Sequence, residues 1–219
     1  MSGSILVVMV EMERIVSRPE QSRIRRSRTQ LVLIWILFLL PPVSAWVAWK
    51  YLAEEGAAAT TNTGTLIAPA RPLQLAGLRQ GDGSDFTLER LRGRWTYVVF
   101  SGAECGTRCR EQLYLTRQTR MAMSKDIPRV QRLLVLDGQP SPALVGQLAE
   151  EQPDLTWVVS GQAAESLLQQ FRGDGFGPAG EQYFLVDPLG NLMMFYDLKA
   201  PAKGIRKDLQ KLLKISQIG

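Results

Sequence analysis

Leu31 to Trp49 is a run of 19 residues without a charged side chain, LVLIWILFLLPPVSAWVAW. So large an apolar surface must leave water, and this limits what the chain can become. As a helix rising 1.5 Å per residue it spans about 28 Å, close to the roughly 30 Å of a bilayer core. Arg23, Arg25, Arg26 and Arg28 stand just before it; Lys50 alone follows closely, ahead of Glu54 and Glu55. The positive-inside rule predicts a cytoplasmic basic tail over 1–30 and a transmembrane helix over 31–49. The rest of the chain then lies outside an inner (cytoplasmic) membrane, in the periplasm or an equivalent space. Trp35, Trp46 and Trp49 suit interfacial anchoring, and Pro41 and Pro42 predict a kink or a shorter helix. A cleaved signal peptide is the rival reading, with Val43–Ala45 as its cleavage site. The apolar run continuing to Trp49 favours a retained anchor.

The net charge of +5 is uneven. Residues 1–49 carry six Arg and three Glu, leaving 20 basic and 18 acidic residues for the rest. A nucleic-acid partner would need a basic stripe on the folded domain. Arg scattered among acids gives none.

Small polar residues over 53–65 read as a flexible tether, so a linker is predicted over 50–68 and a folded domain over 69–219. Gly81-Asp82-Gly83 marks a turn between short extended pieces, and LERLRG one helical turn ending at Gly93. WTYVVF (95–100), QRLLVLDG (131–138) and LTWVVS (155–160) suit buried strands. Helical patterns follow at 109–124, at SPALVGQLAEE with Ser141 as N-cap and Pro142 in the first turn, and at QAAESLLQQF. QYFLVDPLGNLMMFYDL reads as a hairpin turning at Asp187–Gly190. The last element is an amphipathic helix burying Ile205, Leu209, Leu212 and Leu213. Alternating β and α elements imply a mixed α/β sheet with flanking helices. A dithiol between the first long strand and its helix is where a thioredoxin-like fold carries its chemistry.

Both cysteines, Cys105 and Cys109, lie at that junction in FSGAECGTRCREQL, and the chain has no histidine. A helix N-terminus favours an anion, and Arg108 and Arg110 add positive charge, so a thiol there should ionise below its free pKa of about 8.5. Glu104 acts in the opposite sense, and Gly106 suits a tight turn. Four residues of helix rise about 6 Å, within disulfide reach. The same pair could present two thiolates to Cu(I). Zinc fits less well, since structural sites take four ligands. A purely structural bridge is the third reading, but so short a loop gains least from closure. Spacing alone leaves redox and metal chemistry open. Asp137 reads as a loop cap and Asp187 as a turn residue.

The segment RPLQLAGLRQGDGSDFTLERLRGRWTYVVFSGAECGTRCREQL, with YFLVDPLGNLMMFY later, resembles the SCO/SenC family. Its members are membrane-anchored thioredoxin-fold proteins that serve copper-site assembly in cytochrome c oxidase. The resemblance covers roughly residues 70–215 and the anchor topology. It implies that Cys105 and Cys109 bind copper and that the partner is a respiratory oxidase subunit or its copper-site cysteines. Two positions depart from the family. Arg110 replaces a proline after the second cysteine, and the family's third copper ligand, a histidine, falls at Ala179. Met121, Met123, Met193 and Met194 are expected to pack in the core rather than replace it. These departures favour dithiol–disulfide exchange, with Cys105 as the more exposed, attacking thiol and Cys109 resolving. A Cu(I) carrier using both cysteines and a non-catalytic membrane scaffold are the alternatives.

Overall fold

Apolar residues in unbroken runs need surroundings without water, and the chain carries such runs in two units. The computed structural model describes residues 28, 30–48, 50–51, 62–161, 164–179 and 181–216, and the units divide between residues 60 and 61. The first contains helix α1 (Gln30–Ala48), long and apolar enough to cross a membrane, with none of its apolar window buried. Pro41 and Pro42 do not end it. Ser44 Oγ donates to the Pro41 carbonyl at 2.9 Å, the back-bonding open to a serine inside a helix. Most of the basic tail, Trp49 and the tether residues 52–61 lie outside the described residues.

The second unit runs β1 (Thr65–Pro72), β2 (Leu78–Gln80), β3 (Asp85–Phe86), a 3-10 turn (Leu88–Arg90) and β4 (Trp95–Gly102). Helix α2 (Thr107–Met121), a 3-10 segment (Ser124–Arg129), β5 (Val130–Asp137), α3 (Pro142–Glu151) and β6 (Leu155–Val159) follow. Then come α4 (Ala164–Gln170), β7 (Gln182–Val186), β8 (Asn191–Asp197) and α5 (Ala202–Ile215). One eight-stranded sheet joins them in the order β1-β8-β7-β4-β5-β6-β2-β3. β4, β5 and β6 are parallel neighbours; the other pairings are antiparallel. The expected mixed α/β, thioredoxin-like architecture is what forms.

Both sheet faces are covered, which explains why the central strands show no polar alternation. On one face Tyr97, Val99, Leu134 and Leu136 pack with residues of α2, α3 and α5. On the other, Val98, Leu133 and Val135 pack with Leu167 and Phe171. Ser141 caps α3 as expected, accepting from the Leu144 N–H at 3.2 Å.

The domain starts earlier than the expected residue 69. β1 begins at Thr65 and pairs with β8, Thr65 opposite Phe195. Its pattern is almost wholly exposed and its ladder is interrupted between Leu66 and Arg71, where Pro69 has no N–H to donate. Ahead of it, Asp208 on α5 accepts from the Thr63 and Gly64 N–H groups at 2.8 and 2.9 Å.

Helix α2 is held by a buried cation. Arg132, 1% exposed, donates to the Leu113 carbonyl at 3.1 Å and to Gln152 Oε1 at 2.9 Å. Its other nitrogens meet both Asp154 oxygens at 3.1 and 2.8 Å. Burial opposes ionisation of Asp154, but the hydrogen bond and charge of Arg132, then the charge of Arg120, hold its carboxyl below the usual aspartate range.

Candidate redox site

β4 delivers the chain to a turn in which the Cys105 N–H donates to the Gly102 carbonyl at 3.2 Å. Cys105 itself takes the left-handed conformation, φ 42°, which costs an L-residue about 1–2 kcal/mol. The glycine expected to make the tight turn does not. Gly106 is extended (φ −63°, ψ −172°) and acts as the N-cap of α2. It has no side chain to satisfy the helix's free N–H groups, and the first turn holds no acidic residue. Nothing within the first turn therefore offsets the positive end of the helix dipole beside the cysteines, and Glu104 just ahead of it does so from outside the helix.

Cys105 and Cys109 are joined by a disulfide, their Cα atoms 5.2 Å apart. The pair is not exposed as expected: Cys105 is 1% and Cys109 3% accessible, inside the cluster that holds Leu113 and Trp95. The left-handed turn at 105 folds that side chain inward, where the bridge meets Cys109 on the buried side of α2. Each cysteine nonetheless borders a surface cleft. Cys109 lines one of 560 Å³ with Arg108, Gln112, Asp137, Arg172 and Ala179. Cys105 lines another of 800 Å³ with Glu104, Arg110, Glu111, Tyr114 and Leu198.

The segment carrying Ala179 is brought against α2 by side chains. Arg108 Nη1 donates to the Ala179 carbonyl at 3.3 Å, and Gln112 Nε2 to the Gln182 carbonyl at 3.1 Å. Arg71 holds the start of the same segment, donating to the Arg172 carbonyl at 2.7 Å with its guanidinium 5.3 Å from the Phe176 ring centre. Arg110 Nε bonds the Cys105 carbonyl at 3.3 Å. Gln112 and Arg172 are site residues that sequence reading missed, because only the fold brings them to the cysteines. Asp137, expected as a loop cap, ends β5 and borders the Cys109 cleft.

The three tyrosines in the bridge's core cluster stay neutral. Burial pushes Tyr97 well up, with Tyr196, Tyr183 and Asp208 adding to it. Burial does the same to Tyr183 and Tyr196.

The residues present do not fit the three-ligand copper site that the resemblance implies. Ala179 occupies the histidine's position, and no group of three His, Cys, Asp or Glu that could hold a metal exists among the described residues. The methionines do not repair this, for none lines either cleft. Met123 and Met194 are buried in the core and Met193 packs against it. Met121 is instead 54% exposed.

Fold and site together define a thioredoxin-fold domain with a Cys-x-x-x-Cys bridge at its first strand–helix junction, with one candidate membrane helix among the described residues. Residues 95–216 match the family described as "Transmembrane-like, thioredoxin-like, C-terminal domain", and the chain belongs to that family. No curated protein matches the sequence. Among solved structures, copper-bound yeast Sco1 is similar at 16% identity and a TM-score of 0.57, covering 68% of this chain and 96% of that one. Copper-bound ScoI from Bradyrhizobium japonicum aligns at 20% identity and a TM-score of 0.51, covering 66% and 99%. The thioredoxin domain of the thiol-disulfide oxidoreductase BVU-2223 from Bacteroides vulgatus gives 17%, 0.51, 68% and 99%. At these identities the likeness is one of fold, and the same fold serves copper-bound proteins and an oxidoreductase.

Proposed function

We propose that this protein is a membrane-anchored accessory factor for respiratory oxidase assembly, acting by dithiol–disulfide exchange through Cys105 and Cys109. The observation that carries this reading is the bridge itself. It joins two cysteines 5.2 Å apart at an uncapped helix start, beside clefts that reach both partners. A bridge closing so short a loop contributes least to stability, and it sits where the positive end of α2 stabilises a thiolate when it opens.

In the reduced protein, the Cys105 thiolate attacks one sulfur of a client disulfide. A mixed disulfide forms and the first client thiolate leaves. The Cys109 thiolate then attacks Cys105 Sγ, releases the second client thiolate and restores the Cys105–Cys109 bridge. The client gains two electrons and two protons and becomes a dithiol fit to take copper. A thiol donor later reduces the protein. The arginines ahead of α1 support an orientation with the N-terminus in the cytoplasm and the folded domain in the periplasm.

The deciding experiment is complementation of cells lacking the protein with the Cys105→Ala, Cys109→Ala double variant. Loss of oxidase activity, with the variant present at normal level in the membrane, is expected. Full activity would leave only the scaffold reading. A second reading, in which the reduced pair carries Cu(I), is supported by the fold likeness to copper-bound Sco proteins. Anaerobic Cu(I) titration against a chelator decides it: binding no tighter than that of the double variant ends it.

A further inference from the structure

The two clefts beside the bridge differ in charge, and they lie on either side of the first turn of α2, with Gly106 and Thr107 bordering both. The Cys109 cleft carries Arg108 and Arg172 against Asp137. Arg172 is engaged by Glu165 at 2.8 Å. Arg108 is exposed and makes no ion pair among the described residues, its bond being to the neutral Ala179 carbonyl. The Cys105 cleft carries Glu104 and Glu111 against Arg110, and none of these three forms an ion pair among the described residues. It also has an aromatic and aliphatic wall, Tyr114 being 61% exposed, beside Leu115 and Leu198.

The geometry points to a two-sided relay, in which an anionic thiol donor enters the Arg108 cleft at Cys109 and a basic, partly apolar client segment enters the Glu104–Glu111 cleft at Cys105. This rests on the exchange reading above and assigns a partner chemistry to each side. The donor thiolate attacks Cys109 Sγ, the Cys105–Cys109 bond breaks and Cys105 leaves as a thiolate. A second donor thiolate attacks the donor sulfur of the mixed disulfide, so the donor departs as a disulfide and Cys109 is freed. Two electrons have passed to the protein. On the other face, the Cys105 thiolate then attacks the client. Arg108, with Asp137 in the same cleft, on one side and the two carboxylates of Glu104 and Glu111 on the other give the two faces different charge, and like charges disfavour the wrong encounter.

The test uses the full-length chain in detergent micelles, as the single-thiol variants Cys105→Ser and Cys109→Ser. Each is reacted with sulfonatoethyl and with trimethylammonioethyl methanethiosulfonate, and the rates are normalised to those of 2-mercaptoethanol. A unit charge roughly 7 Å away in water changes such a rate by about threefold. The remaining Cys109 should favour the anionic reagent by about that factor or more, and the remaining Cys105 the cationic one. Arg108→Gln should abolish the first preference and leave the second, and Glu111→Gln should weaken the second alone. High salt should compress both.

Reduced wild-type protein gives an independent check that does not depend on either variant folding. Iodoacetate adducts should fall mainly on Cys109 and bromoethylamine adducts on Cys105, located by fragment-ion mass spectrometry. The same charge preference at both thiols, no effect of Arg108→Gln, or no reaction at either thiol would overturn the relay. Failure of the exchange reading shows differently, as a wild-type bridge that no thiol reduces.

Discussion

Arg108 Nη1 donates to the carbonyl of Ala179 at 3.3 Å, across 71 residues of sequence. A guanidinium is thereby fixed at the cleft that Cys109 lines, beside the position where the SCO/SenC resemblance places an imidazole. At that place this chain has a cation, which favours a thiolate and disfavours a metal ion.

An imidazole at residue 179 should add copper affinity. Ala179→His is expected to tighten Cu(I) binding by the reduced full-length protein at least about tenfold, or 1.4 kcal/mol. Adding Arg108→Gln should tighten it further. Competition with a chromophoric Cu(I) chelator measures both; unchanged affinity would mean that residue 179 does not face the thiols.

The buried Arg132 sets the position of α2. Arg132→Met removes the buried cation and leaves Asp154 with Arg120 as its ion-pair partner at 3.1 Å, so the cost in denaturant unfolding should be at most about 3–5 kcal/mol. The pH dependence follows from Asp154, whose carboxyl is held low by Arg132 after burial is overcome. A depressed folded pKa contributes stability above the unfolded value of about 3.9, and that stability is lost as pH falls through the folded one. Wild type should lose stability progressively below about pH 4, and Arg132→Met should show a shallower acid slope.

Asp208 fixes the entry to β1 through the Thr63 and Gly64 N–H groups. Two bonds to a buried charged acceptor are worth a few kcal/mol together, about 1.5–3 each. Asp208→Ala should lower stability accordingly and speed amide exchange at residues 63–66 before it speeds exchange in β4. Uniform acceleration across the sheet would contradict a local clamp.

Tyr97 is fully buried, and its hydroxyl has no hydrogen-bond partner among the described residues. Removing an unpaired buried polar group relieves a desolvation cost of about 1–3 kcal/mol. Tyr97→Phe is therefore expected to unfold at higher denaturant with an unchanged m-value. A clear loss of stability would show that the hydroxyl has a partner.

Much of this fold is written in local pattern. The Asp187–Gly190 turn is one case: Asp187 Oδ1 accepts from the Leu189 and Asn191 N–H groups at 2.9 and 2.8 Å, chemistry that Asp-Pro-Leu-Gly announces. Ser141 and Pro142 announce α3 in the same way. β1 is not legible, because it is exposed and proline-containing and owes its existence to β8, more than a hundred residues away. The site divides likewise. Spacing shows that Cys105 and Cys109 can bridge. It gives no sign that residue 105 adopts φ 42° and turns inward, nor that Gln112, Arg172 and Ala179 converge on Cys109. Those depend on packing between distant segments.

The central claim is that the Cys105–Cys109 bridge opens and closes as a two-electron couple. Equilibrating the full-length protein in thiol redox buffers and trapping free thiols by alkylation measures its potential directly. A single reversible transition is expected between roughly −120 and −270 mV, where oxidoreductases of this fold lie. A bridge still closed below about −300 mV, as structural disulfides are, would contradict it.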